Sequence, residues 1–222
     1  MATTDLLSLL RSRSSVFVPI FGHLLAQVVL TLYLGYYLRM KNPALGLRLS
    51  RYMLLIIIAM LAVGFLFAST MLTNSGPVNL LLFTTFSVLN GILLHMLYYL
   101  PTDVLRTAAI ATVCTFAAMF VVGWGLVAKG VHLGRLNLFL CVGAISFAVS
   151  SALYVILQPG HKVRYALSSF GVLLFACFVM AQTADIIADK VYDDRPIAGA
   201  FQYYLSIFDL LQMFINLAGN DN

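Results

Sequence analysis

The chain has 222 residues, of which 62% are hydrophobic and only 9% charged, and its mean hydropathy is +0.97. A soluble domain carries about 25% charged residues, so this composition excludes one and points to an integral membrane protein. Glutamate is absent, and eight aspartates against thirteen Lys and Arg leave a net charge of +5; nearly all of these charges fall between apolar runs, where they read as loops beside lipid headgroups and not as a nucleic-acid surface.

The first fifteen residues, MATTDLLSLLRSRSS, read as a short tail. Two arginines then precede an apolar run, as in a signal peptide. Residues 16–38 are nevertheless too long for a cleaved apolar region and lack a small-residue exit, so they read as a retained first span. Because a helix needs about 20 apolar residues to cross about 30 Å of hydrocarbon, six further spans follow at 52–73, 78–99, 104–128, 136–157, 164–188 and 197–218, leaving 219–222 as a tail. The prediction is an all-α integral membrane protein, a single seven-helix transmembrane bundle over 16–218 with no soluble domain on either side. The breaks RMKNPALGLRLSR, NSGP, LPTD, KGVHLGR, QPGHK and DKVYDDRP mix Pro, Gly and charge. They are short enough for sequential helices to pack as antiparallel neighbours. Tyr33, Tyr36, Tyr37, Tyr98, Tyr99 and Trp124 lie toward span ends, where amphipathic rings prefer the interface. Basic residues divide evenly between the two sides, so the positive-inside rule assigns no orientation, and no internal repeat suggests a transporter of duplicated halves.

Polar residues inside the spans are the informative ones, since an ionisable group near the bilayer centre costs about 2.5 to 3.5 kcal/mol on insertion scales and faces the bundle interior with a partner. Asp209 lies near the middle of the seventh span and Asp185 about one turn from the end of the sixth. These two are the candidate buried acidic groups of an ion path. The expected partners of Asp209 are Asn90, His95, His23 and Arg106. Asn90, beside Gly91, also suits a helix contact with an interhelical hydrogen bond, and Gln27, Gln212 and Asn216 have the same structural reading. His23 and His95 are lone histidines without a second ligand at helical spacing, which argues for packing over metal binding. Arg106 begins its span and can snorkel. His132 and His161 belong to loops, and the run Asp189, Lys190, Asp193, Asp194, Arg195 reads as a solvated turn without calcium-loop spacing. Cys114, Cys141 and Cys177 stand singly in three apolar runs and read as buried structural thiols. No catalytic constellation, nucleotide loop, metal site or cofactor motif occurs, so an enzyme is not expected.

The third-span stretch FTTFSVLNGILL, the link AKGVHLGRLNLF, and above all FVMAQTADII followed by AFQYYLSIFDLLQMFINLAG resemble the transmembrane BAX inhibitor motif family. The family pattern in the last two helices is Y-D-x-x-Q-I, a short charged loop, then A-L-x-L-Y-L-D-x-x-N-L-F. In its calcium-leak members the two aspartates of that pattern form a hydrogen-bonded pair that responds to pH and closes the pore. Laid onto this chain, the first aspartate position is Gln182 and the second is Ser206, so neither carboxylate is present. QTADII and YYLSIFDLL are closer to the YccA-like branch, modulators of a membrane-bound AAA protease. The resemblance implies a multi-pass membrane protein that modulates cell death, stress or membrane-protein quality control through partners, either cell-death regulators or a membrane AAA protease. The membrane is a bacterial inner membrane or that of the endoplasmic reticulum or Golgi. The alternative is a pH-influenced calcium or cation leak with Asp209 in the path and Ca2+ as permeant ion.

Asp185 and Asp209 each follow a family position by three residues, yet they do not replace the missing pair. With spans six and seven antiparallel about residue 193, Gln182 is 11 residues back and Ser206 is 13 forward, level to about 3 Å at 1.5 Å per residue. Asp185 is 8 back and Asp209 is 16 forward, a mismatch of about 12 Å. The expectation is a neutral Gln182–Ser206 hydrogen bond and no contact between the aspartates.

Overall fold

A computed structural model of the chain describes residues 6–70, 76–131, 134–157, 160–188 and 192–219, and these are helical, with no strand among them. In order they form α1 (Leu6–Tyr36), running into a π-helical turn at Tyr37–Lys41, then α2 (Pro43–Ser50), α3 (Met53–Thr70) and α4 (Gly76–Leu94). After a 3-10 turn at Leu97–Tyr99 come α5 (Thr102–Ala128), α6 (Gly134–Leu157), α7 (His161–Ala188) and α8 (Pro196–Ala218). Helix is the expected answer in lipid, where every backbone N–H and C=O needs a partner within its own segment.

Among the described residues five helices have the length and hydropathy to cross a membrane: Arg13–Lys41, Met53–Thr70, Gly76–Leu94, Thr102–Ala128 and Lys162–Ala188. All seven predicted apolar runs are helical, but three boundaries differ. α1 begins at Leu6, so residues 6–15, read as a tail, continue the first helix. The segment 39–51, read as a loop, contains α2, which Asn42 starts by accepting a hydrogen bond from the Leu45 N–H at 3.3 Å, with Pro43 at the first helical position. The third run stops as α-helix at Leu94 and tightens into the 3-10 turn. α5 ends where predicted, at a Gly130 with φ +75°. The Gly130 N–H donates to the Val127 carbonyl at 2.9 Å and the Val131 N–H to Leu126 at 3.0 Å, a Schellman closure that a left-handed glycine permits.

The chain forms two compact units. One comprises residues 15–105 and 191–204, the other 1–14, 106–190 and 205–222. In the first, α3 and α4 pack side by side around an aromatic cluster: Phe67 stacks on Phe201 with centroids 4.1 Å apart, and Phe83 and Phe86 meet Phe201 edge-on at 5.3 and 5.1 Å. α1 and α4 approach closely at Gly91, where a Cβ would lie 2.9 Å from the Thr31 carbonyl oxygen. In the second unit α6 packs on α7 through Leu140, Leu174 and Ala181. There Gly123 on α5 sits so near α7 that a Cβ would lie 2.6 Å from the Met180 carbonyl oxygen. Small residues at helix contacts suit packing in lipid, where close backbone approach replaces the missing hydrophobic drive.

Two expectations about single residues are overturned. Cys114 and Cys141 are exposed and are not core groups, whereas Cys177 is half-buried and packs against the Leu140, Leu174 and Ala181 cluster; an all-apolar helix carries no sequence signal separating its packed face from its lipid face. Trp124 is buried against Phe120, with centroids 6.1 Å apart, and is not presented to an interface. Tyr33, Tyr36, Tyr37 and Tyr99 are exposed, as a belt requires.

Candidate functional site

α7 and α8 bring together the two positions aligned with the family's acidic pair. The Ser206 hydroxyl donates to Gln182 Oε1 at 3.1 Å, with Ser206 2% exposed. The level count along antiparallel helices is therefore realised in a direct contact between two neutral groups. Neighbouring residues hold the α7 side in place: Thr183, fully buried, donates to the Val179 carbonyl at 2.7 Å, and its Cβ lies 2.9 Å from where a Gly123 Cβ would be. A neutral amide–hydroxyl pair accepts or donates a hydrogen bond at any ordinary pH and carries no titratable proton there.

Asp185 is half-buried one turn before the end of α7 at Ala188. Asp209, also half-buried, has no hydrogen bond or ion pair with any described residue. The two carboxylates do not meet. Among the described residues Asp209 does not find the polar partner expected of it. Asn90 Nδ2 donates to the Tyr204 hydroxyl at 3.1 Å. His95, 3% exposed, follows α4, holds its Nδ1 against the Ile92 carbonyl in that helix's last turn and lies edge-on to Tyr99. His23 is half-buried, and Arg106 is exposed on the first turns of α5. His132, Asp189 and Lys190 lie outside the described residues, as does the His161 side chain. Asp193 and Asp194 are exposed, consistent with a solvated turn. Among the described residues no three His, Cys, Asp or Glu side chains group as metal ligands.

In the first unit Asn90 and Gln27 make the interhelical hydrogen bonds expected of them, but within a buried polar network whose other members, Thr31, Thr84 and Tyr204, the reading from sequence missed. Thr31 Oγ1 lies 2.6 Å from the Tyr204 hydroxyl and donates to the carbonyls of Gln27 and Ser87 at 2.9 and 3.1 Å. Gln27 Nε2 donates in turn to Thr84 Oγ1 at 3.0 Å. Thr31 and Tyr204 are fully buried. A threonine and a tyrosine in apolar runs look unremarkable in a hydropathy profile; the usable signal was that Asn90, Thr31 and Tyr204 are all polar groups within predicted spans. Asn216, also expected at a helix contact, accepts from Arg164, a partner the sequence did not suggest: Nη2 near the start of α7 donates to Oδ1 near the end of α8 at 3.0 Å.

A family model described as inhibitor of apoptosis-promoting Bax1 matches residues 13–222. No curated protein matches the chain.

Proposed function

The chain belongs to the family of inhibitors of apoptosis-promoting Bax1, and on that premise we propose that it modulates cell death, stress responses or membrane-protein quality control through partner proteins in its membrane, and is not a pH-gated leak. It is an integral multi-pass membrane protein. In this reading α6 and α8 cross as well, giving seven crossings; their 24 and 23 residues extend about 35 Å, enough for about 30 Å of hydrocarbon.

The observation that supports it is the neutral Gln182–Ser206 pair. A pH gate needs two carboxylates close enough for like charge to raise one of their pKa values into the working range, and neither residue here titrates. Reconstitution in liposomes with an entrapped calcium indicator tests this. The unmodified protein should show little flux, with no steep change between about pH 6 and 8, where perturbed carboxylates titrate, whereas Gln182→Asp combined with Ser206→Asp should create pH-dependent flux. A steep change in the unmodified protein overturns the reading. A second reading, cation leak, has one observation in its favour: a half-buried Asp209 with no partner among the described residues. On that reading Asp209→Asn abolishes a flux that the unmodified protein shows, with the fold intact.

A further inference from the structure

We propose that the cavity between α6, α7 and α8 is a binding site for a phosphate group, of the kind an anionic phospholipid headgroup or a small soluble phosphate carries. The proposal is independent of whether the protein conducts ions. The cavity measures about 260 Å³, with Phe147 and Met213 among its apolar lining and Arg164, Ser168, Gln212 and Asn216 among its polar lining. All of these residues belong to one compact unit.

Its position along the helices is informative. Arg164 lies in the first turn of α7 and Asn216 in the last turn of α8, so this part of the cavity lies toward one common end of these helices, the end that a spanning helix places near the headgroups. A guanidinium in that zone needs a counter-charge unless water supplies one. The one hydrogen bond of Arg164 among the described residues goes to the amide oxygen of Asn216, a neutral acceptor that orients the fork without neutralising it. The guanidinium has five N–H donors and suits planar, bidentate contact with phosphate oxygens. Ser168 adds a second donor: it is 3% exposed, lines the cavity, and makes no side-chain hydrogen bond with any described residue. The amide of Gln212, likewise without a hydrogen-bond partner among the described residues, is a third. Three donor groups around one cavity match a tetrahedral group with several acceptor oxygens. The apolar wall of Phe147 and Met213 suits the first carbons of a lipid glycerol backbone. The volume is below the roughly 300 Å³ at which pockets begin to enclose whole drug-sized ligands, so a headgroup and not an entire lipid is the fitting occupant.

Native mass spectrometry of the purified full chain in detergent, titrated with phosphatidylglycerol, phosphatidylcholine or inorganic phosphate, tests the proposal. Phosphatidylglycerol should bind more tightly than phosphatidylcholine if a headgroup is the natural source, and inorganic phosphate alone should bind if a soluble phosphate is. In either event Arg164→Gln and Asn216→Asp should each weaken that binding about tenfold or more, the loss of one charge-assisted contact. Asn216→Asp is the safeguard against misfolding, because it keeps the side-chain shape and gives Arg164 an internal carboxylate partner. Equal binding by the unmodified protein and both variants overturns the proposal, as does the failure of all three probes to bind the unmodified protein.

Discussion

At the scale of single residues, the chain replaces charge with neutral hydrogen bonding. Gln182 and Ser206 satisfy each other across α7 and α8, and Asn90, Tyr204 and Thr31 do the same in the other unit. Interhelical hydrogen bonds in lipid average about 0.6 kcal/mol in double-mutant cycles, and a typical buried one contributes about 1 kcal/mol. Tyr204→Phe should therefore lower stability by about 1 kcal/mol, and the double variant Tyr204→Phe with Thr31→Val should cost less than the sum of the single changes, with a coupling of about 0.5 to 2 kcal/mol. Denaturant unfolding of the four proteins in detergent measures this, and strict additivity would contradict a direct bond. The Gln182–Ser206 contact was legible because the family resemblance pairs the two positions and they lie level on helices joined by a short turn. The Tyr204–Thr31 contact joins residues 173 positions apart, and nothing in a hydropathy profile reports which faces of distant helices meet.

At the scale of helices, existence was easier to read than facing. Long apolar runs announce themselves, so the helical content of every predicted run followed from length alone. Which side of each helix packs did not follow. α3, MLLIIIAMLAVGFLFAST, is apolar all round, so its buried Phe67 and its exposed Phe65 are indistinguishable by residue type; the same blindness misplaced Cys114 and Trp124. Glycine contacts give a sharper test of facing. A Cβ on Gly123 would meet a backbone carbonyl and a Thr183 Cβ, neither of which moves without its helix, whereas a Cβ on Gly125 meets nothing within 4 Å. Gly123→Ala should cost about 1 to 3 kcal/mol as an overpacked contact. Gly125→Ala should be neutral or stabilising by about 0.5 to 1 kcal/mol through helix propensity. Thermal unfolding of the two variants side by side checks the order; a reversal would mean that α5 and α7 do not touch at Gly123.

At the scale of the whole molecule, exposure means something different from exposure in a water-soluble protein. Val18, Leu54, Phe65, Phe139 and Leu173 each expose 67% or more of their surface, a pattern that costs free energy in water and none in hydrocarbon. Cys114, exposed and central in α5, is a reporter for that distinction. A charged reagent does not enter hydrocarbon, so a thiol surrounded by lipid is out of its reach. In liposomes a membrane-permeant maleimide should outpace a charged methanethiosulfonate at this site, with Cys141 and Cys177 replaced by Ala to isolate it. If the charged reagent labels Cys114 as fast in liposomes as in denatured protein, α5 does not face lipid there.

The threonine–tyrosine contact also carries an electrical consequence. A hydroxyl has one proton, and Thr31 points its own at main-chain oxygen, so it can only receive from Tyr204, which in turn receives from the amide of Asn90. The three groups thus form a polarised ladder with a fixed sense, every rung aligned. An excess proton hopping along such a ladder would have to turn each rung around, and the last one is anchored to the helix backbone. Sited where water is scarce, the ladder ties α1, α4 and α8 together with polar groups whose last proton is held by main-chain oxygen.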